Sequence, residues 1–474
     1  MKVLFVSSEV DPLAKTGGLA DVASSLPKAL KKLGVDVRII MPYYNRFVEG
    51  KGFEFEKTNI RFSVNLDGIP REGEYFKTEL VQGLPVYLLR NDDFFDRENL
   101  YGTPEGDYSD NHLRFAFLDY GVFEFIKHSG FIPDVIHIND WQTGLIPLLR
   151  LKKYYGINSK ILLTIHNLAY QGLFPREILS EIGLNMDVFH VEGVEFYGKV
   201  NFLKAGIVYS DAINTVSPTY AKEIQTEEYG HGLEGILRKR RGRLYGILNG
   251  LDYEVWNPST DKYIYFNYSA ENAIEGKRKN KEELLKETGL KGTEKPLLGI
   301  VSRLAQQKGF DLFPEIMENL LKLDLNMIVL GSGDKTYQEM FEDFSRKFGS
   351  LYVKIGFDPV LARKIYAGCD MFLMPSRYEP CGLGQLISMR YGTVPVVRKT
   401  GGLKDTVVDV EQGGYGFVFE EYNPRKFFDT VSRAVNFYYS NRKEWANIVR
   451  KIMQLDFSWS ASANKYLNLY RELI

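Results

Sequence analysis

Short apolar runs recur along the chain, each bounded by polar or glycine-containing turns, and stretches of helical period fill the intervals between them. Val3 to Ser7, a helical pattern from about Asp21 to Leu33, and Val37 to Met41 form a βαβ opening. Val86 to Leu89, Val135 to Ile138, Ile161 to Ile165 and Ala212 to Val216 continue the strands, with helical stretches near 110–128, 141–154 and 197–209. These runs are apolar without alternation, as expected where both faces of a parallel sheet are covered. Tyr245 to Leu248 reads as one more strand. The polar, tyrosine-rich stretch after it, with the charged run Lys277-Arg278-Lys279, reads as a connection. Leu297 to Val301 then restarts the alternation, continued by Met327 to Leu330, Tyr352 to Ile355, Met371 to Met374 and Val394 to Val397. The expectation is an α/β protein of two doubly wound domains, residues 1–253 and 254–456. The segment 457–474, with Trp459, Tyr466, Leu467 and Tyr470, is an amphipathic helix that either closes the second domain or crosses back to the first.

Composition narrows the class. A chain of 474 residues exceeds what one core usually supports, which agrees with two domains. Sixty basic and 61 acidic residues leave a net charge of -1, so no global field recruits nucleic acid or an anionic membrane. The opening residues read as a first strand rather than a signal peptide, and no apolar stretch reaches membrane-spanning length. Two cysteines, Cys369 and Cys381, form no disulfide framework and show no metal-ligand spacing, so a reducing cytoplasm is expected. Aromatic residues at 14 % suit a carbohydrate surface as well as a core. Phe94, Phe95 and Tyr101 form a cluster that fits either use.

The chain spells nearly the same turn twice, Lys15-Thr16-Gly17-Gly18-Leu19-Ala20-Asp21 and Lys399-Thr400-Gly401-Gly402-Leu403-Lys404-Asp405. Each follows an apolar run and precedes a segment able to open a helix. Free backbone N–H groups there make an anion site, and paired glycines let a ligand approach closely; a plain tight turn fits the same spelling. Ligands of open α/β sheets lie beyond the carboxyl ends of the strands. Asn139, Asp140 and Trp141 stand at one such end, and His166 and Asn167 at another. Arg303 and Lys308 follow Val301, and Glu379 and Cys381 follow Met374. Arg303 with Lys308 could neutralise a diphosphate or form surface salt bridges. Glu379 could accept sugar hydroxyls, stabilise positive charge or cap a helix. His166 could be a general acid, a hydroxyl donor or an ordinary hydrogen-bonded histidine. No GxGxxG, Walker or HExxH pattern occurs, so dehydrogenase, P-loop ATPase and zinc hydrolase readings lose support.

The set KTGGLAD (15–21), HINDW (137–141), TIHN (164–167), NGLD (249–252), SRLAQQKG (302–309), EPCGL (379–383) and TGGLKD (400–405) resembles bacterial glycogen synthase and plant starch synthase over essentially the whole chain. The resemblance implies the GT-B architecture, two Rossmann-like domains facing a cleft. It also implies retaining transfer of glucose from ADP-glucose, or from UDP-glucose with the same diphosphate and sugar, to the non-reducing 4-hydroxyl of an α-1,4-glucan. On the same ground His166, Arg303, Lys308 and Glu379 are the catalytic set. Lys15, Gly17, Gly18, Asn249, Phe357, Cys381, Gly382, Leu383, Thr400, Gly401 and Gly402 are donor-binding. Asp21, Asp140 and Asn167 are further site or hinge residues. No cofactor and no metal is implied. Phe357 stands where the family usually has tyrosine near the nucleobase, which keeps a ring and loses a hydroxyl. Asn139 and Gln142 replace histidines of many relatives, and Ile387 stands where the broader GT-B pattern has a second glutamate.

No facing pair of carboxylates of the retaining-glycosidase kind is recognisable. The expected mechanism is therefore same-face return, with the leaving diphosphate deprotonating the incoming hydroxyl. Two rival readings are a phosphorylase-like enzyme, which would need a lysine-bound pyridoxal phosphate and a longer chain, and a silent glucan-binding paralogue.

Overall fold

The computed structural model describes all 474 residues, and these divide into two compact units. Unit 1 is Met1–Gly250 with Trp459–Ile474, and unit 2 is Leu251–Ser458. No helix is long and apolar enough to cross a membrane.

Unit 1 is built on a nine-stranded sheet. From one edge its order is Leu244–Gly246, Ala212–Thr215, Lys160–Ile165, Val135–Asn139, Lys2–Val6, Asp36–Pro42, Leu84–Arg90, Ile69–Val81 and Glu56–Leu66. All neighbours pair in parallel down to Leu84–Arg90, and the last two strands are antiparallel. Chain order reverses between Lys2–Val6 and Val135–Asn139. Crossover connections leave the two strand ends there uncovered, which makes this the place for a ligand. The edge hairpin Glu56–Leu66 and Ile69–Val81 is absent from the sequence reading. Its side chains alternate between buried and exposed, for example over Ile60 to Leu66, so it carries no continuous apolar run.

Unit 2 carries a six-stranded parallel sheet in the order Leu351–Ile355, Asn326–Gly331, Leu297–Val301, Met371–Met374, Val394–Arg398 and Phe417–Phe419. Its order reverses between Leu297–Val301 and Met371–Met374. Both strands are nearly all apolar and buried, so their polar followers are pushed to the carboxyl edge.

Three expectations need correction. The run Lys277-Arg278-Lys279 is not a connection but lies inside the helix Ala273–Thr288 of unit 2. Lys277 is buried there, its Nζ donating to Ala367 O, Tyr391 O and Thr393 Oγ1, and burial lowers its pKa to about 8. The stretch 141–154 is a 3-10 turn, Trp141–Thr143, and a helix, Ile146–Lys152. The stretch 197–209 begins as the strand Lys199–Asn201 of a small antiparallel sheet and becomes helical at Phe202.

The closing helix, Trp459–Leu473, packs against the helix Gly18–Lys32 and belongs to unit 1. Its apolar face is buried, and its tyrosines reach the sheet. Tyr470 Oη lies 2.7 Å from His137 Nδ1, whose Nε2 is 2.7 Å from Thr164 Oγ1, and Asn214 Nδ2 donates to Tyr466 Oη at 2.9 Å. Burial, with His166 nearby, depresses the His137 pKa to about 3, so this buried imidazole is neutral.

Candidate active site

At the reversal point of unit 1, the chain leaves Val6 and runs through Ser7, Ser8 and Glu9 to the first glycine turn. Gly17 is the extended N-cap residue of the helix Gly18–Lys32 and receives no side-chain cap. Gly17 and Gly18 are exposed, and a Cβ added at either meets no atom within 4 Å. Lys15 Nζ lies 2.5 Å from Asp21 Oδ1 and 3.8 Å from Asp11. Burial raises the Asp21 pKa against the opposing pull of Lys15. The turn thus offers Lys15 and open glycines at a helix N-terminus whose first amides lack intrahelical acceptors.

The other strand of that reversal ends in Asn139 and Asp140. Asp140 has φ 57°, a left-handed conformation unusual for a non-glycine residue. It holds its carboxylate against the backbone of the neighbouring strand end, where it accepts from His166 N at 2.7 Å and from Asn167 N. Burial raises its pKa to about 7. Asn139 Nδ2 donates to Val6 O at 2.9 Å, so its Oδ1, 2.9 Å from His166 Nε2, accepts. The Nε2 proton of His166 is therefore committed, and burial lowers its pKa to about 3. A neutral imidazole in this tautomer presents Nδ1 as an acceptor. With its Nε2 proton committed and its ring neutral, His166 has no proton to give as a general acid or hydroxyl donor, and its remaining acceptor is Nδ1. Asn167 turns inward locally, its Oδ1 accepting from Ala169 N. Asn249 is buried with its Oδ1 lacking a hydrogen-bond partner.

In unit 2 the two strands at the reversal point bring Lys308 and Glu379 together. Lys308 Nζ is 2.9 Å from Oε1 and 2.7 Å from Oε2 of Glu379, and Ser376 Oγ donates to Oε2 at 3.0 Å. Glu379 is buried and Lys308 is partly exposed. A carboxylate held from two sides by donors keeps its direction. The helix-cap reading of Glu379 fails, because the following helix, Gly384–Arg390, starts after Leu383 without a side-chain cap. Arg303 is exposed, its Nη2 3.3 Å from Gln307 Oε1. Phe357 is 92 % exposed, a free ring just beyond the strand Leu351–Ile355.

The loop from Glu379 to Leu383 is tied down at both ends. Gln385 Nε2 donates to Cys381 O and Gly382 O, and Gly402 N donates to Glu379 O. Thr400, Gly401 and Gly402 are buried. A Cβ on Gly401, which has φ 43°, would stand 1.9 Å from Glu379 O; on Gly402 it would stand 1.9 Å from Cys381 O. The second glycine turn is thus the bed of the Glu379 loop, and its glycines are required by close backbone approach.

Phe94 and Phe95 are core residues packed at tilted angles about Phe117, so these two rings serve packing. Tyr101 instead donates to Glu9 at 2.6 Å. Sequence reasoning gave Glu9 no place in the site and took Tyr101 only as part of the aromatic cluster. Glu9 stands shortly after a strand end, the same signal that identified Asp140 and Glu379. No group of three His, Cys, Asp or Glu residues is placed to hold a metal ion.

Residues 2–239 match the profile of the starch synthase catalytic domain, and residues 281–452 match that of glycosyl transferases group 1. A glycogen synthase of Geotalea uraniireducens is 50 % identical over 480 residues, covering 99 % of this chain and 98 % of its own. A glycogen synthase of Thermotoga petrophila is 47 % identical over 488 residues, covering 100 % of this chain and 99 % of its own. The catalytic domain of starch synthase IV from Arabidopsis thaliana, solved bound to ADP and acarbose, matches with a TM-score of 0.91 at 34 % identity, over 99 % of both chains. A sucrose-phosphate synthase from Thermosynechococcus elongatus shares the fold, with a TM-score of 0.62 at 15 % identity over 100 % of this chain and 98 % of its own.

Proposed function

The chain belongs to the glycogen synthase and starch synthase family of GT-B glycosyltransferases, and on that premise we propose that it transfers glucose from ADP-glucose to the non-reducing 4-hydroxyl of an α-1,4-glucan with retention. The observation that carries this reading is the Lys308–Glu379 pair at the reversal point of unit 2. It sets a cation for a leaving diphosphate beside a carboxylate oriented for a sugar. Arg303 adds a second cation, and the exposed Phe357 ring suits a nucleobase face. Lys15, the Gly18 amide and the open space beside Gly17 offer the diphosphate a cation, a donor and room to approach, and His166 Nδ1 accepts a glucosyl hydroxyl. Asn249 and the Cys381–Leu383 backbone are further donor contacts. Thr400 to Gly402 serve the donor by holding that loop.

In the proposed reaction the bond between C1 of glucose and the diphosphate oxygen breaks, and the electron pair leaves with ADP. The acceptor 4-hydroxyl attacks from the same face as its proton passes to the departing diphosphate. Stabilisation of that leaving group is the main catalytic contribution asked of Arg303 and Lys308, about 3 kcal/mol for one well-placed donor. The two buried, unbridged cysteines fit a reducing cytoplasm.

Incubation with ADP-glucose and a short maltooligosaccharide should release ADP and lengthen the glucan. Elongation from glucose 1-phosphate instead would favour a phosphorylase, and binding without turnover a silent paralogue. Lys308→Ala should lower kcat by about a hundredfold or more while glucan binding stays near wild type. Unchanged turnover would remove Lys308 from the mechanism. The ratio of kcat/KM for ADP-glucose and UDP-glucose decides the donor.

A further inference from the structure

Glu9 is a buried carboxylate that the reaction outlined above leaves without a task. It is 3 % exposed, yet it makes four hydrogen bonds, three of them with the first glycine turn. Its Oε2 accepts the backbone N–H groups of Thr16 at 2.5 Å and Gly17 at 3.2 Å. Its Oε1 accepts the hydroxyls of Thr16 at 2.7 Å and Tyr101 at 2.6 Å. Tyr101 spends its one proton on Glu9, so Ser8 Oγ, 2.8 Å away, donates to the tyrosine oxygen. The Lys15–Asp21 pair and the Val10–Ala14 backbone bridge brace the flanks of the turn, but neither engages the backbone of Thr16 or Gly17, and both glycines lack neighbours at the Cβ position. A paired glycine turn without packing is conformationally loose. Here one carboxylate fixes it from below.

We propose that Glu9 is a positioning residue for the donor: its carboxylate sets the Thr16–Gly17 turn so that Lys15 and the first-turn amides of the helix Gly18–Lys32 meet the diphosphate. This rests on the reading of the site given above. Glu9 also consumes the Gly17 N–H, which corrects the picture of both glycine amides facing the ligand; the open groups are those from Gly18 onward. Geometry, not charge, is what Glu9 supplies. A negative charge beneath a diphosphate opposes binding, whereas the two backbone donors on Oε2 need only an oxygen.

That distinction makes the inference testable. In Glu9→Gln the amide oxygen can take the place of Oε2. Its NH2 can donate to the two hydroxyls, with Tyr101 turning its proton to Ser8. Glu9→Ala leaves two amides without a partner. Steady-state kinetics of wild type, Glu9→Gln, Glu9→Ala and Thr16→Ala, with ADP-glucose and maltooligosaccharide varied separately and thermal unfolding recorded, should separate the cases. Glu9→Ala should raise the donor KM by about tenfold with the glucan KM unchanged, and Glu9→Gln should stay at or below the wild-type donor KM. Thr16→Ala removes one bond at an exposed position and should raise donor KM about two- to threefold without lowering the unfolding temperature. Thr16→Ala keeps the test alive if Glu9→Ala does not fold. A donor KM raised by Glu9→Gln, or left unchanged by Glu9→Ala or, failing its folding, by Thr16→Ala, would overturn the inference alone. A wild type that transfers no glucose would overturn the reading beneath it.

Discussion

The two glycine turns have nearly the same spelling and opposite surroundings. In the first, Gly17 and Gly18 are exposed, with open space where side chains would begin. In the second, Gly401 and Gly402 are buried, and added Cβ atoms would stand 1.9 Å from the carbonyl oxygens of Glu379 and Cys381. The lysines differ as well: Lys15 pairs with Asp21 inside its own turn, whereas Lys399 pairs with Glu420 outside it. Glycine leaves open space beside the first turn. It serves the second by letting two backbones touch. A repeated motif is therefore evidence for a repeated local shape, and its role follows from what fills the space beside it.

The largest expected effect breaks the second turn. Gly402→Ala should cost about 3 kcal/mol in chemical denaturation, and it should abolish transfer because Cys381 must move and the Glu379 loop with it. A fully active, stable Gly402→Ala would mean that the two turns are equivalent after all. Next, Lys15→Ala should lower donor kcat/KM by about tenfold while leaving stability almost unchanged, since an exposed salt bridge contributes little. Gly17→Ala tests the open space: its extended backbone suits alanine, so stability should stay within about 0.5 kcal/mol while donor KM rises about threefold. Destabilisation approaching that of Gly402→Ala would erase the contrast. Smallest of all, Lys399→Ala should change kcat/KM by less than about twofold, and a loss as large as that of Lys15→Ala would give the second lysine a donor role.

The parallel sheets were legible because strands buried on both faces are written as unbroken apolar runs, and the candidate site residues stood out because polar residues at the ends of those runs have few structural reasons to be there. Lys308 and Glu379 illustrate both points: two strand ends distant in sequence are neighbours only because the sheet order reverses between them. The edge hairpin was hidden by its alternation. Lys277 was misread because a charged run looks solvated until three buried acceptors surround its ammonium group. His166 was identified as a candidate site residue, but its tautomer, which leaves Nδ1 as the acceptor, depends on Asn139 and Val6, partners that no spacing reveals. Glu9 carried the strand-end signal of Asp140 and Glu379, but that it binds its own chain at Thr16 and Gly17 is visible only in the fold.

The closing helix adds a matter of timing. Unit 1 is sealed by Trp459–Leu473, which a ribosome makes only after the whole of Leu251–Ser458. At about 5–20 residues per second that is a wait on the order of ten to forty seconds, long compared with the folding of most domains. Throughout it, the helix Gly18–Lys32 lacks its cover, and His137 and Asn214 lack the tyrosines that satisfy them. Unit 1 is therefore completed only after unit 2 has been made, and until then its helix Gly18–Lys32 carries an uncovered apolar seam.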